Sequence, residues 1–134
     1  MYTPIKRIEM AKMLSYYAMN VLWQKPDDTL YISFKDVSDK MDAEYDNWVI
    51  LAYQLWIMWI NMPNNKFRPN DYVTRAEFAT ALSRILYGID DWNPNYYSTH
   101  FEKLKSEWIM TILDPNMLEI RWYVMIMLMR ASNW

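Results

Sequence analysis

The 134-residue chain has no cysteine, a single histidine and a single glycine. Without cysteine, disulfides and thiolate metal sites are excluded; a cysteine-free chain is compatible with export. The lone His100 stands in no Gly-x-Ser-x-Gly or His-Glu-x-x-His pattern, so hydrolytic and zinc-dependent catalysis lack their usual groups. Beside Phe101 it reads as a helix-start surface or packing residue. Glu44, Asp46, Asp90 and Asp91 are spaced neither as a calcium loop nor as an identifiable acid/base pair. The expectation is a chain that is not an enzyme and holds no metal or cofactor.

Long apolar runs are also missing. Val49–Met62, interrupted by Gln54 and Asn61, and Trp122–Met129 both fall short of the roughly 18 residues that span a bilayer. Neither charge sign dominates: 14 Lys and Arg face 16 Asp and Glu, a net charge of −2. That balance gives no general attraction to nucleic acid or an anionic membrane. Met1-Tyr2-Thr3-Pro4 leads into a helical pattern with no basic segment or apolar run of a signal peptide.

The shortage of glycine coincides with a surplus of tryptophan. One Gly stands beside eight Trp, where average usage gives about 7% glycine, or roughly nine residues. Trp23, Trp56 and Trp108 follow helical patterns at the places where a helix stop calls for Gly, as Gly88 does after Leu86-Tyr87. Such a stop takes a left-handed residue, which costs any side chain with a Cβ about 1 kcal/mol or more. Trp59, Trp92 and Trp122 also occupy glycine contexts: a loop, an Asp-Asp-x-Asn-Pro turn and a tight helix start. Most of these tryptophans are therefore read as glycines in the source organism, encoded by UGA in an alternative genetic code. The competing reading is an aromatic surface for sugar stacking.

What the chain does contain is one unit used three times. Pro69-Asn70, Arg75 and Leu82 recur 46 residues later as Pro115-Asn116, Arg121 and Leu128. Val73-Thr74-Arg75-Ala76-Glu77 recurs 68 residues earlier as Ile5-Lys6-Arg7-Ile8-Glu9, with Leu82 on Leu14. Residues 34–88 form a full copy, 1–22 the second half of one, and 96–131 a copy shortened in its middle. Trp56 lies 13 residues before Pro69 and Trp108 only 7 before Pro115, so six loop residues are missing from the last copy. Since the first copy begins halfway, the chain is expected to be a fragment of a larger protein, with any export signal upstream.

Phe34-Lys35-Asp36-Val37, Phe67-Arg68-Pro69-Asn70 and Thr74-Arg75-Ala76-Glu77 resemble the S-layer homology family. The family architecture implies an all-α fold, with helical repeats around a pseudo-threefold helical core, long loops, and grooves between repeats. Its function implies a non-catalytic module that anchors a surface protein by binding anionic cell-wall polysaccharide, commonly carrying pyruvate ketals. An extracellular location in the cell envelope follows from the same resemblance. The alternative is a protein–protein assembly module of a surface array, whose partners are other surface-layer proteins.

Hydrophobic spacing predicts helices over Ile5 to about Leu22, Ala43–Leu55 with Asp42 as N-cap, Thr74–Tyr87, Ser98–Glu107 and Leu118–Ala131. Gln24–Lys40 and Gly88–Asn95 read as loops. Thr74 and Glu77 have the spacing of a capping box. Arg7, Arg75 and Arg121 sit in first helical turns, where a cation opposes the helix dipole by about 0.3–1 kcal/mol. They are the candidate ligand-binding residues, because a guanidinium at a helix start suits a carboxylate or phosphate. A structural bridge from Arg75 to Asp36 or Asp71 is the other reading. By the resemblance, Asp36, Tyr45 and Tyr97 are further candidates, for sugar hydroxyls and sugar stacking; packing is the alternative for the tyrosines. The third copy departs from the family with Tyr123 in place of Glu, and the first with Lys6 in place of Thr.

Overall fold

The computed structural model describes residues 3–29, 36–44, 48–55, 57, 67–87 and 97–132. Among them are six helices and only isolated β-bridges, an all-α fold. The chain divides into two compact units, Lys6–Asp71 and Met1–Ile5 with Tyr72–Trp134.

In the unit Lys6–Asp71, α1 (Arg7–Asn20) packs on α3 (Trp48–Gln54). Ala11, Leu14 and Ala18 are buried on α1, and Val49 and Ala52 on α3. Of the helix expected over 43–55, the described residues form α2 (Asp39–Glu44), which starts four residues early, and α3, residues 45–47 lying outside them. Ser38 moves the start forward into the expected loop, its Oγ accepting the Met41 N–H at 3.2 Å in the manner of an N-cap. Asp42 thus lies inside α2, yet it still caps: its carboxylate accepts the N–H groups of Val49 at 3.0 Å and Ile50 at 3.2 Å, at the start of α3.

In the other unit, α4 (Arg75–Tyr87) packs on α5 (Tyr97–Ser106), and α6 (Arg121–Ser132) follows. The last helix starts three residues later than its periodicity indicates. Leu118 is bridged to Thr74, and Glu119 is held in extended backbone pairing. Ile5 likewise precedes its helix. Three equivalent residues, each two before a motif arginine, close a ring of hydrogen bonds. Val73 N–H donates to the Ile5 carbonyl at 3.0 Å, Glu119 N–H to Val73 at 2.7 Å, and Ile5 N–H to Glu119 at 2.9 Å. All three residues are buried.

A second set of bonds repeats in the same register. Arg7 N–H donates to the Asp71 carbonyl at 2.9 Å and Ile8 N–H to Pro69 at 3.0 Å. Correspondingly, Arg75 N–H donates to Met117 at 2.8 Å and Ala76 N–H to Pro115 at 3.2 Å. The first N–H groups of a helix have no partner within it; here the Pro-Asn turn of the next copy supplies one.

Two tryptophans occupy left-handed backbone beyond helix ends, Trp23 at φ 57° and Trp108 at φ 61°. After α5, Trp108 N–H donates to the Lys105 carbonyl at 3.0 Å and Ile109 N–H to Leu104 at 3.0 Å. This is the bond pair of a Schellman stop, with Trp108 in its glycine position and Ile109 buried behind it. The corresponding Ile57 N–H donates to Ala52 at 3.0 Å. Trp56, Trp59, Trp92 and the loop 88–95 lie outside the described residues. Trp122 differs: it is the second residue of α6, in the helix rather than past its end.

Candidate ligand cleft and the buried arginine pair

Arg75 opens α4 directly after Thr74, and the expected capping box is formed there. Thr74 N–H donates to the Glu77 carboxylate at 3.2 Å, and Glu77 N–H to the Thr74 hydroxyl at 3.3 Å. That box fixes the first turn and directs the Arg75 side chain inward, where it is 2% exposed. Its partner is Glu119, which is fully buried; Nη2 donates to Oε1 at 2.8 Å and Nε lies 2.7 Å from Oε2. Nη1 donates to the Ile112 carbonyl at 3.1 Å, and the guanidinium lies over the Tyr123 ring at 5.3 Å. The bridge is therefore to neither Asp36 nor Asp71. Asp71 pairs with exposed Arg68 at 3.5 Å.

Burial pushes the Glu119 carboxyl above its ordinary value of 4.5; the charge and hydrogen bond of Arg75 and the Ile120 N–H act in the opposite direction. A carboxylate beside the start of α4 also offsets the unfavourable placement of Arg75 against the helix dipole. Ile120 N–H donates to Glu119 Oε1 at 3.3 Å. In the other copies the equivalent bond is made by the N3 glutamate, from Lys6 to Glu9 at 3.1 Å and from Thr74 to Glu77.

Arg75 lies at the wall of a cleft of about 110 Å³, together with Thr111, Ile112, Tyr123 and Arg130. This volume suits a few waters or one small polar group, a water taking about 30 Å³ of liquid. Arg130 is half-buried and donates to the Ile109 carbonyl at 3.3 Å. Two guanidinium groups against one carboxylate leave the cleft with an excess positive charge, which favours an anionic group.

Arg7 is buried in the unit Lys6–Asp71, its Nε donating to the Phe67 carbonyl at 2.7 Å and its guanidinium over the Phe67 ring at 5.4 Å. In that same unit Asp36 accepts the N–H groups of Phe67 and Arg68, both at 2.8 Å. It secures a turn in which Arg68 is left-handed at φ 57°. Arg121 is exposed at the start of α6. Tyr45 and the side chain of Tyr97 lie outside the described residues.

Glu119 and Arg130 were not singled out by the sequence reading. Glu119 had a signal, because an acid stands where the other copies have Ile5 and Val73. Arg130 had none, being one basic residue in a last helical turn, where cations are common. His100 is not a surface residue: it is fully buried, and its Nδ1 is hydrogen-bonded to the Ser83 hydroxyl, joining α5 to α4. Among the described residues no three His, Asp or Glu groups gather as metal ligands, and no helix is long and apolar enough to cross a membrane. No protein-family model, curated protein or solved structure matches the chain.

Proposed function

We propose that this chain is an S-layer-homology-like anchoring module that holds a larger surface protein to anionic cell-wall polysaccharide. The observation that carries the reading is the cleft at Arg75 and Arg130, with its positive excess and its Thr111 and Tyr123 walls. A sugar carboxylate such as a pyruvate ketal matches it in charge, and Tyr123 offers a ring face. Because the Arg75 fork is engaged by Glu119, the ligand carboxylate meets Arg130 first and Arg75 acts from behind as a fixed charge. Arg130 replaces Arg75 as the direct contact, and the module needs no chemical step.

The test is sedimentation of the chain with protein-free wall sacculi. Arg130→Ala should weaken binding by about 1.5–3 kcal/mol, the range for a charged hydrogen bond, with the melting temperature nearly unchanged. Arg130→Lys should rescue only part of it, because a point charge lacks the planar fork. Undiminished sedimentation of Arg130→Ala overturns the cleft assignment. Absence of sedimentation by the unmodified chain overturns the anchor, and co-sedimentation with purified surface-layer protein instead favours an assembly module.

A further inference from the structure

The Arg75–Glu119 pair is incompletely matched, and the mismatch sits at the wall of the cleft. A guanidinium offers five N–H donors in a planar fork that suits both oxygens of a carboxylate. Here only one oxygen is served. Nη2 donates to Glu119 Oε1 at 2.8 Å, and the Ile120 N–H reaches the same atom at 3.3 Å. Oε2 lies 2.7 Å from Nε, yet among the described residues no aligned hydrogen bond reaches either of these buried atoms. A buried carboxylate oxygen without a donor is costly to keep charged. Oε2 is thus the atom at which burial favours a proton.

On the elements beside that carboxylate, the arginines keep their charge at any ordinary pH. They are Arg75 of α4, and Arg121 and Arg130 of α6, of which Arg75 and Arg130 line the cleft. Tyr123 of α6 lays its ring over the Arg75 guanidinium at 5.3 Å. Glu77 of α4 is held by the Thr74 N–H and hydroxyl, and Asp114, in the preceding turn, is exposed and accepts the Asn116 N–H. Residues 3–5, whose Ile5 N–H donates to the Glu119 carbonyl, bring no charged side chain. Of these carboxylates, Glu119 is the one paired with a cleft arginine, so its proton sets the charge of the cleft.

We propose that Glu119 is a proton-operated counter-ion of the cleft: ionised, it cancels the Arg75 charge, and protonated, it leaves Arg75 and Arg130 together to hold a small anion. The proposal rests on the anion-binding reading of the cleft and adds its regulation. No side chain has to turn, because a charge in a partly buried wall acts on the ligand with little screening. Linkage makes the effect reciprocal: a proton on Glu119 tightens the anion, and the anion favours the proton by the same factor. Burial raises the carboxyl above 4.5, so the change in affinity comes at a pH above that value.

Methanesulfonate is the probe, a small anion whose own charge is constant over the range used. Nuclear magnetic resonance titration of the Arg75 and Arg130 Nε–H signals should show several-fold tighter binding at pH 5.5 than at pH 7.5. Glu119→Gln should bind at pH 7.5 at least as tightly as the parent does at pH 5.5, with little difference between the two conditions. Calorimetry of the parent in two buffers of different ionisation enthalpy should show net proton uptake on binding, a readout that needs no variant. Equal affinity of the parent at both pH values overturns the proposal, as does a pH dependence that survives in Glu119→Gln. Binding without proton uptake, or no binding at either pH, overturns it as well. The anchor is judged separately: wall sacculi that sediment the parent but not Arg130→Ala uphold the cleft reading even when methanesulfonate binding is flat.

Discussion

Removing Arg75 tests whether the Arg75–Glu119 pair is a structural necessity of this chain. Arg75→Met keeps length and apolar bulk but leaves the Glu119 carboxylate, wholly inaccessible to solvent, without its counter-charge. Breaking a buried pair from one side costs about 3–5 kcal/mol, a large share of the roughly 7–15 kcal/mol stabilising a domain this size. At about 4 °C per kcal/mol for this length, the melting temperature should fall by roughly 10–20 °C. The loss should depend on pH. With Arg75 absent, of the influences that lower the Glu119 pKa only the Ile120 N–H still opposes burial, so the carboxyl takes up a proton at higher pH than in the parent and the variant should recover on acidification. Urea unfolding at pH 7.5 and pH 5.5 reads this directly. The double variant Arg75→Met with Glu119→Leu should return to within about 1 kcal/mol of the parent or exceed it, as apolar replacements of buried pairs often do. A single variant that loses less than about 1 kcal/mol, with no recovery in acid, refutes the reasoning: the pair then behaves like an exposed one.

The intact pair has its own pH signature. A carboxyl whose folded value is raised above 4.5 contributes stability that is present below 4.5 and lost as pH rises through the folded value. The stability of the parent relative to Glu119→Gln should therefore decline with rising pH in that window, and a rising difference contradicts the assignment. At the left-handed stop of α5, Trp108→Gly and Trp108→Ala remove the same side-chain contacts, but only Gly removes the Cβ. The Gly variant should be the more stable by about 1 kcal/mol, and peptide mapping of the protein from its own cells should read Gly at 108. Equal stability of the two variants, or a UGG codon at that position, ends the glycine reading there.

The sequence disclosed whatever depends on side-chain pattern. The faces of α1 and α4, the Thr74–Glu77 box and the equivalence of Arg7, Arg75 and Arg121 all rest on local spacing, and the folded chain uses them in that register. It concealed whatever depends on backbone meeting backbone. Ile5 and residues 118–120 continue a helical period, yet they are extended because Ile5, Val73 and Glu119 bond to one another across three copies. No side chain announces such a ring. The role of Asp42 was hidden for a similar reason, because it accepts the Val49 N–H at the start of α3 from seven residues away. For Arg75 the sequence offered Asp71, in the turn just before it, and Asp36 of the same copy, whereas its partner Glu119 belongs to the next copy, 44 residues along the chain.

Glu119 and Tyr123 are best understood as one coupled departure from the repeat. In the first two copies the glutamate stands at the third helical position, where it caps the N–H before the arginine. In the third copy tyrosine occupies that position, and the cap would be lost. A glutamate has instead replaced the apolar residue two before the arginine, and it takes the Ile120 N–H from the other side. The exchange has two further effects. It places an acid within reach of Arg75 and lays the Tyr123 ring over the same guanidinium. A residue that opposed its own helix dipole thus gains a counter-charge and an aromatic face, and the cleft beside it gains an aromatic wall. Degeneration of the repeat motif predicts that both substitutions weaken the third copy. Their mutual compensation predicts that Glu119→Val with Tyr123→Glu, which restores the repeat pattern, lowers stability by stranding Arg75.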